Sequence, residues 1–414
     1  MGAGTAVALT LTVALVAAAC GSSPPARAVR HTSPTTSAPT TTTTPTTTLP
    51  SAVPTTIPSA VVPTVGWAHP ATALPPAGGY TGVSCISGVF CVAVGGGANE
   101  ADVSDSTGPG VVTAWDGAVW GTQSIYFPEP AGGAATAPEL AGIACTSGPL
   151  CALVDGSGHT SLGDGTNWTA PAALAAAPVT PANPADPGAG HEGARSAAVD
   201  CPTGQFCAYV DNTGHVAVLR GTTWSASQAM TTRTGSATVG LFQAGRVGMS
   251  CTGTSSCTGV VGDAVLDWNG TTWTESPAPW SASTTGDSAV SCPVAGACVA
   301  VRGAYVSVRV GGSGWSTPRS IDANGHLDGV SCPTLAFCMA VDAYGDVVHL
   351  ADGTWSSPAK VVPTPTEYAG DGTSLSCPSD QFCIVLTGDG DYATYQGSDP
   401  NAPVTTTTLP VITP

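Results

Sequence analysis

Cysteine is the residue in this chain whose type and spacing most plainly do chemistry. Fifteen occur in 414 residues, and fourteen form seven pairs with one spacing, C-x5-C. They are Cys85/Cys91, Cys145/Cys151, Cys201/Cys207, Cys251/Cys257, Cys292/Cys298, Cys332/Cys338 and Cys377/Cys383. Thiols this close either close a local disulfide or lend ligands to a metal. Zinc sites use shorter C-x2–4-C pairs and bring two together, often with histidine. Here each cysteine has a local partner, which predicts seven disulfides and an oxidising compartment. A loop so short contributes about 2 kcal/mol of chain-entropy stabilisation per bridge.

Other candidates for chemistry are sparse. His191, Glu192 and Arg195 set a base, a carboxylate and a cation in one short segment. General acid–base work needs a positioned pair in a water-poor pocket, so these read as a solvated loop on a binding face, and no catalytic residue is assigned. Glu100, Asp102 and Asp105 fall in an insertion near Gly95 to Gly110. Tyr126, Phe127, Phe242 and Trp280 lie in connections, where an apolar side chain either contacts a ligand or pins the loop down. Asp155, Asp211 and Asp342 each stand four residues past a second cysteine. That recurrence points to a turn cap rather than calcium. Asp389-Gly390-Asp391 lacks the spaced oxygen ligands of an EF-hand loop. No G-x-S-x-G, H-E-x-x-H or P-loop occurs, and no cofactor or metal is expected.

The elements that hold these residues repeat. First cysteines are separated by 60, 56, 50, 41, 40 and 45 residues, and a minimum near 40 matches a four-stranded propeller blade. The segment from Gly329 reads as strands Gly329 to Cys332, Phe337 to Asp342, Asp346 to Leu350 and Thr354 to Val361. D-x-x-G forms the second turn, with Gly at a φ > 0 position. A tryptophan closes each repeat: Trp120, Trp168, Trp224, Trp273, Trp315 and Trp355. Trp115 and Trp268, five residues before two of them, are expected to pack between blades. The seventh repeat lacks its tryptophan, but Trp67 lies 18 residues before Cys85, close to the 17 between Trp315 and Cys332. The N-terminal segment is thus expected to supply the outermost strand of the last blade, closing a ring and removing open edges. The fold class is all-β: a seven-bladed propeller of four-stranded antiparallel blades over residues 65–402, with one hairpin disulfide per blade. If the first strand is innermost, the long insertions gather on one face, where binding surfaces usually lie.

The flanks give an address. Residues 5–19 are an apolar run of signal-peptide length, and the small residues before Cys20 resemble a bacterial lipobox. That resemblance implies a signal peptide over 1–20, diacylation of Cys20 and anchoring to a membrane. Residues 21–64 form a Thr/Pro-rich linker, of which 31–64 is expected to be extended and to reach up to about 100 Å; 403–414 are a similar tail. Net charge is −17, which repels phosphate backbones, so nucleic acid is excluded as a partner.

From Cys85 to Cys383 the chain resembles secreted actinobacterial β-propellers built on SC-x5-C and G-x-x-W segments, such as Ser331-Cys332 with Gly353 and Trp355. The resemblance implies fold, not activity. The spacing Asp211-Gly214…Gly221-Trp224 is similar to quinoprotein-type propellers, whose tryptophans dock blade on blade, and SLGDGTNW (Ser161 to Trp168) resembles a sialidase Asp box. The expected function is an envelope-anchored, extracellular, monomeric propeller that binds or scaffolds a protein or glycan. The alternative is a sialidase-like glycan hydrolase or lyase.

Overall fold

The computed structural model describes residues 66–68, 74, 79–96, 110–125, 140–174, 196–230, 246–364 and 372–397, apart from positions 118, 149, 156, 157, 213, 282, 283, 285, 312, 313 and 324. These form seven antiparallel sheets, the blades of a propeller. Within each, strands a to d run outward from the central axis. The a strands are Tyr80–Ser87, Leu140–Cys145, Ala197–Thr203, Gly248–Gly253, Ser288–Val294, Leu327–Thr334 and Thr373–Ser379. Each packs against the next, and the seventh returns to the first. The ring closes as the sequence implied. Gly66–Ala68 pairs with Tyr392–Gln396 in register Gly66↔Gln396, Trp67↔Tyr395, Ala68↔Thr394.

Strand b is buried along its length in FCAYVD and ACVAVR, and from its second residue in FCMAVD. It needs an unbroken apolar run because neighbouring blades cover both its faces. The core is therefore divided into seven wedges between consecutive blades, each holding one repeat tryptophan, with Trp67 taking its place between blades six and seven. Trp115 and Trp120 of blade one stack on Tyr392 of blade seven at 6.5 and 5.8 Å. Trp268 packs in the wedge between blades three and four beneath Arg220. Both Trp115 and Trp268 also donate their indole N–H to their own a–b turn, at Gly88 O and Thr254 O.

All seven expected disulfides are formed, each bridging strands a and b: Cys85–Cys91, Cys145–Cys151, Cys201–Cys207, Cys251–Cys257, Cys292–Cys298, Cys332–Cys338 and Cys377–Cys383. The two members of each bridge differ in burial. Cys91, Cys151, Cys207, Cys298, Cys338 and Cys383, the strand-b members, are 0–2% exposed, and Cys257 is 3% exposed. Each of the seven lies in a different wedge, the one its blade shares with the preceding blade. The physical reason is that strand b is covered on both faces, so a sulfur placed on it is sealed into the core. The bridges are core staples, each with its strand-b sulfur inside a wedge. In blade four Cys251 and Cys257 stand directly opposite, and the register slips by one residue beyond them.

The serine before the cysteine also has a role. Its Oγ accepts the backbone N–H of the first cysteine in the following blade. The pairs are Ser84 with Cys145, Ser250 with Cys292, Ser291 with Cys332, Ser331 with Cys377, and Ser376 with Cys85, at 2.9–3.0 Å. Blade two has Ala144 there and blade three has Asp200. One Asp200 oxygen accepts the N–H of Cys201, which Ala144 leaves without a partner, at 2.8 Å; the other accepts that of Cys251 at 2.5 Å. Burial raises the Asp200 pKa to about 6 against the pull of these two N–H groups. Three residues before each first cysteine the chain has Gly82, Gly142, Ala198, Gly248, Ala289, Gly329 and Ser374. Small residues let the inner strands approach: a Cβ on Gly248 would lie 2.7 Å from Val290 N.

Asp155, Asp211 and Asp342 cap the b–c turns. Asp342 Oδ1 accepts the N–H groups of Tyr344 and Asp346 at 2.9 and 2.7 Å, and Gly345 has φ 85°. Asp155 and Asp211 accept from His159 and His215 at 2.7 and 3.0 Å. In blade seven Thr387 replaces the aspartate and takes the N–H of Asp391. In SLGDGTNW, Asp164 caps the c–d turn, accepting the N–H groups of Asn167 and Thr166, which hold its pKa below the usual carboxylate range.

The expected outer strand Thr354 to Val361 is interrupted. Thr354–Trp355 and Ala359–Lys360 pair with strand c, and the stretch between leaves the ladder. Pro358 has no N–H to donate, and Ser356 Oγ instead accepts the N–H of His349 at 3.1 Å. The hydroxyl after the repeat tryptophan does the same at Thr169, Ser225 and Ser316, so this outer bulge recurs in four blades.

Candidate functional site at the channel mouth

The end of strand d lies beside the b–c turn, where Leu74, Leu174, Met230, Ile321 and Val361 donate to Gly390, Gly158, Gly214, Ala304 and Gly345. The d–a and b–c connections therefore open on one face. The a strands begin at that face, and their first residues rim the channel. Blades one and two supply Tyr80 and Leu140, both buried. From blade three onward the rim is polar: Ser196, Arg246, Asp287, Asp328 and Thr373.

Arg246 spans this rim. It enters strand a of blade four, yet its Nη1 donates to Thr373 O of blade seven at 3.0 Å. Its backbone N–H donates to Asp287 Oδ1 of blade five at 2.7 Å, and its Nε lies 3.9 Å from Oδ2. The Arg246 carbonyl accepts the N–H of Ser288 at 2.9 Å. Arg246 Nη2 is buried and makes no hydrogen bond among the described residues. Asp328 of blade six accepts the N–H of Thr373 at 3.0 Å, and the charge of Asp287 acts on it. Gly372 has φ 67°, and a Cβ there would overlap the Asp328 carboxylate. Desolvation, then the charge of Asp287, push the Asp328 pKa up to about 8, opposed by Arg246 and the Thr373 N–H. Asp328 thus keeps its proton at neutral pH. Arg302 lies behind the rim, donating to Thr284 O at 2.8 Å and Ser288 Oγ at 3.1 Å; burial lowers its pKa.

Chemically this is a barred mouth. A glycosidase pair needs two carboxyl groups free to face the substrate; here Asp287 and Asp328 each accept a backbone N–H of the ring, from Arg246 and Thr373. A sialidase-type site presents free arginines to a substrate carboxylate, whereas Arg246 and Arg302 are engaged by carbonyls and hydroxyls of the ring. Among the described residues no three His, Cys, Asp or Glu side chains converge as a metal set.

A second feature lies on the same face over blade six. Tyr344, Asp346, Lys360 and Thr364 line an open depression of about 330 Å³. Lys360 Nζ donates to Tyr344 O at 2.6 Å and Thr364 Oγ1 at 3.1 Å, and lies 3.2 Å from Asp346 Oδ1. The Tyr344 ring, 39% exposed, stands edge-to-face with His326 at 5.3 Å.

Of the residues singled out from the sequence, Glu100, Asp102, Asp105, Tyr126, Phe127, His191, Glu192, Arg195 and Phe242 lie outside the described residues, as does Cys20. Trp280 is described. It is 6% exposed, packs in the wedge between blades four and five, and donates its indole N–H to Gly262 O at 2.9 Å. It pins its connection to the b–c turn. The paired cysteines, Cys91, Cys151, Cys207, Cys298 and Cys338 among them, lie in the wedges and not at the mouth. The rim residues Arg246, Asp287, Asp328 and Thr373 were not anticipated. Their signal was a fixed offset, four or five residues before a first cysteine, where strand a meets the loop face.

No protein-family model matches this chain, and no curated protein matches its sequence. Solved structures do. YCF48 bound to a D1 peptide is 12% identical, with 81% of this chain and 97% of that one covered at TM-score 0.52. The WD40 propeller domain of Doa1 is 9% identical, covering 80% and 97% at 0.52. A streptogramin B lyase is 9% identical, covering 80% and 98% at 0.56. At these identities the likeness is one of fold, and the chain is a β-propeller.

Proposed function

We propose that this protein is an extracellular, envelope-anchored propeller that binds or scaffolds a protein or glycan through its loop face. The observation that carries the reading is the closed, disulfide-braced ring, whose connections and polar rim gather on one face. Seven disulfides support an oxidising compartment, and the apolar run, Cys20 and the Thr/Pro segment support a lipid tether that holds a monomer away from the membrane. Propellers of this shape include one solved with a bound peptide and one lyase, so the frame suits either binding or catalysis. The glycan hydrolase or lyase is the second reading, favoured by the presence of Asp287 and Asp328 at the rim and weakened by their backbone partners and by the engaged arginines.

The test is cross-linking of the full chain in its envelope. Variants Tyr344→Asp and Lys360→Glu alter the loop face. Val89→Asp and Val294→Asp alter exposed positions at the a–b turns on the opposite face. Loss of cross-linked partner with the first pair alone is the expected result; loss with the second pair alone overturns the reading. Turnover of a glycan that Asp287→Asn abolishes would replace it with the enzyme.

A further inference from the structure

The depression over blade six has a chemistry more specific than its shape. It contains one aspartate and one lysine already paired with each other, so it presents no net charge to a ligand. Lys360 has its three N–H groups aimed at three acceptors, Tyr344 O, Thr364 Oγ1 and Asp346 Oδ1. What remains is a set of hydrogen-bonding partners around an aromatic wall. Asp346 Oδ2 can accept a hydrogen bond. The Thr364 hydroxyl, which accepts from Lys360, still has its own proton to donate. The Tyr344 hydroxyl can do both. A ligand fitting this set is uncharged, rich in hydroxyls and bears an apolar face to lie on a ring.

The walls are also preorganised. Asp342, buried under the b–c turn, fixes Tyr344 and Asp346 through their N–H groups at 2.9 and 2.7 Å. On the neighbouring connection the buried Asp322 fixes Gly325 and His326 through theirs at 2.9 and 3.1 Å. Two side-chain-capped turns from consecutive blades thus set the His326–Tyr344 pair in place before any ligand arrives. A site whose supporting contacts are already made loses little ordering entropy on binding.

We propose that Tyr344, Asp346 and Thr364, braced by Lys360 and His326, form a binding site for a neutral saccharide, with a pyranose ring lying on Tyr344. This rests on the binding-module reading above and narrows its partner to an uncharged glycan. The experiment is saturation-transfer NMR of the full chain with cellohexaose, maltohexaose, chitohexaose and mannohexaose as probes at millimolar concentration. The expected result is transfer to the ring C–H protons of at least one probe. Tyr344→Ala should weaken that binding about tenfold or more, Tyr344→Trp should retain it, and Asp346→Asn should weaken it. Because the Tyr344 ring is exposed, an unchanged melting temperature in Tyr344→Ala separates loss of the site from loss of the fold. No transfer from any of the four probes, equal binding by Tyr344→Ala, or tighter binding of hexagalacturonate would overturn the proposal. If cross-linking still maps to the loop face while all four sugars fail, the saccharide site falls and the binding module stands.

Discussion

Replacing Asp328 by asparagine should change how stability depends on pH while leaving the fold intact. In the native ring Asp328 keeps its proton until about pH 8, whereas in the unfolded chain it ionises near its ordinary 3.8. Between those values the native state binds more protons than the unfolded state, so stability falls as pH rises. Its contribution is fully present below about pH 4 and lost by about pH 8. At about 1.4 kcal/mol per unit the window amounts to about 6 kcal/mol. Asparagine mimics the neutral form. Its carbonyl can accept the N–H of Thr373 as the carboxyl does. Urea unfolding of wild type and variant, disulfides intact, near pH 5 and near pH 9, isolates this group, because every other titration is common to both. The wild type should lose at least about 2 kcal/mol relative to the variant across that range. A difference that stays constant with pH would refute the raised Asp328 pKa.

Asp200→Ser should cost about 1–2 kcal/mol by leaving the Cys201 N–H without its acceptor, and adding Ala144→Ser should recover most of it; a double-mutant cycle with zero coupling would sink the idea that these two positions compensate. Full reduction should lower the melting temperature markedly, since seven short bridges each contribute about 2 kcal/mol by loop entropy; calorimetry with and without reductant checks this. Deleting residues 65–75 should lower the melting temperature by removing the strand that pairs with Tyr392–Gln396, whereas deleting 31–60 should leave it unchanged, and equal melting of the two deletions would contradict closure by Trp67.

Much of this architecture was legible along the chain because its determinants are local and recur. C-x5-C spans one hairpin, so the spacing itself fixes which thiols meet. It does not tell how deep they lie: the burial of Cys91 or Cys338 depends on the neighbouring blade that covers strand b. D-x-x-G and the following tryptophan report a turn and a wedge position. The displaced Trp67 reported closure, because a repeat divided between two ends has one economical arrangement, a ring. The break in the outer strand was less legible. Ser356 and Pro358 look compatible with an extended run until the hydroxyl is seen taking the place of a ladder partner.

What the sequence by itself determined was the blade, its disulfide, its turns and the order of the ring, since each depends on residues a few positions apart. What only the tertiary structure decided was which side chains meet across the ring. Arg246 touches both Thr373 and Asp287 because seven inner strands converge on one axis, and residues separated by 127 positions become neighbours there. The same convergence makes Asp200 serve a cysteine two blades beyond Ala144 and stands His326 against Tyr344. No local spacing carries that information, because inter-blade geometry is set by wedge packing around the whole circle.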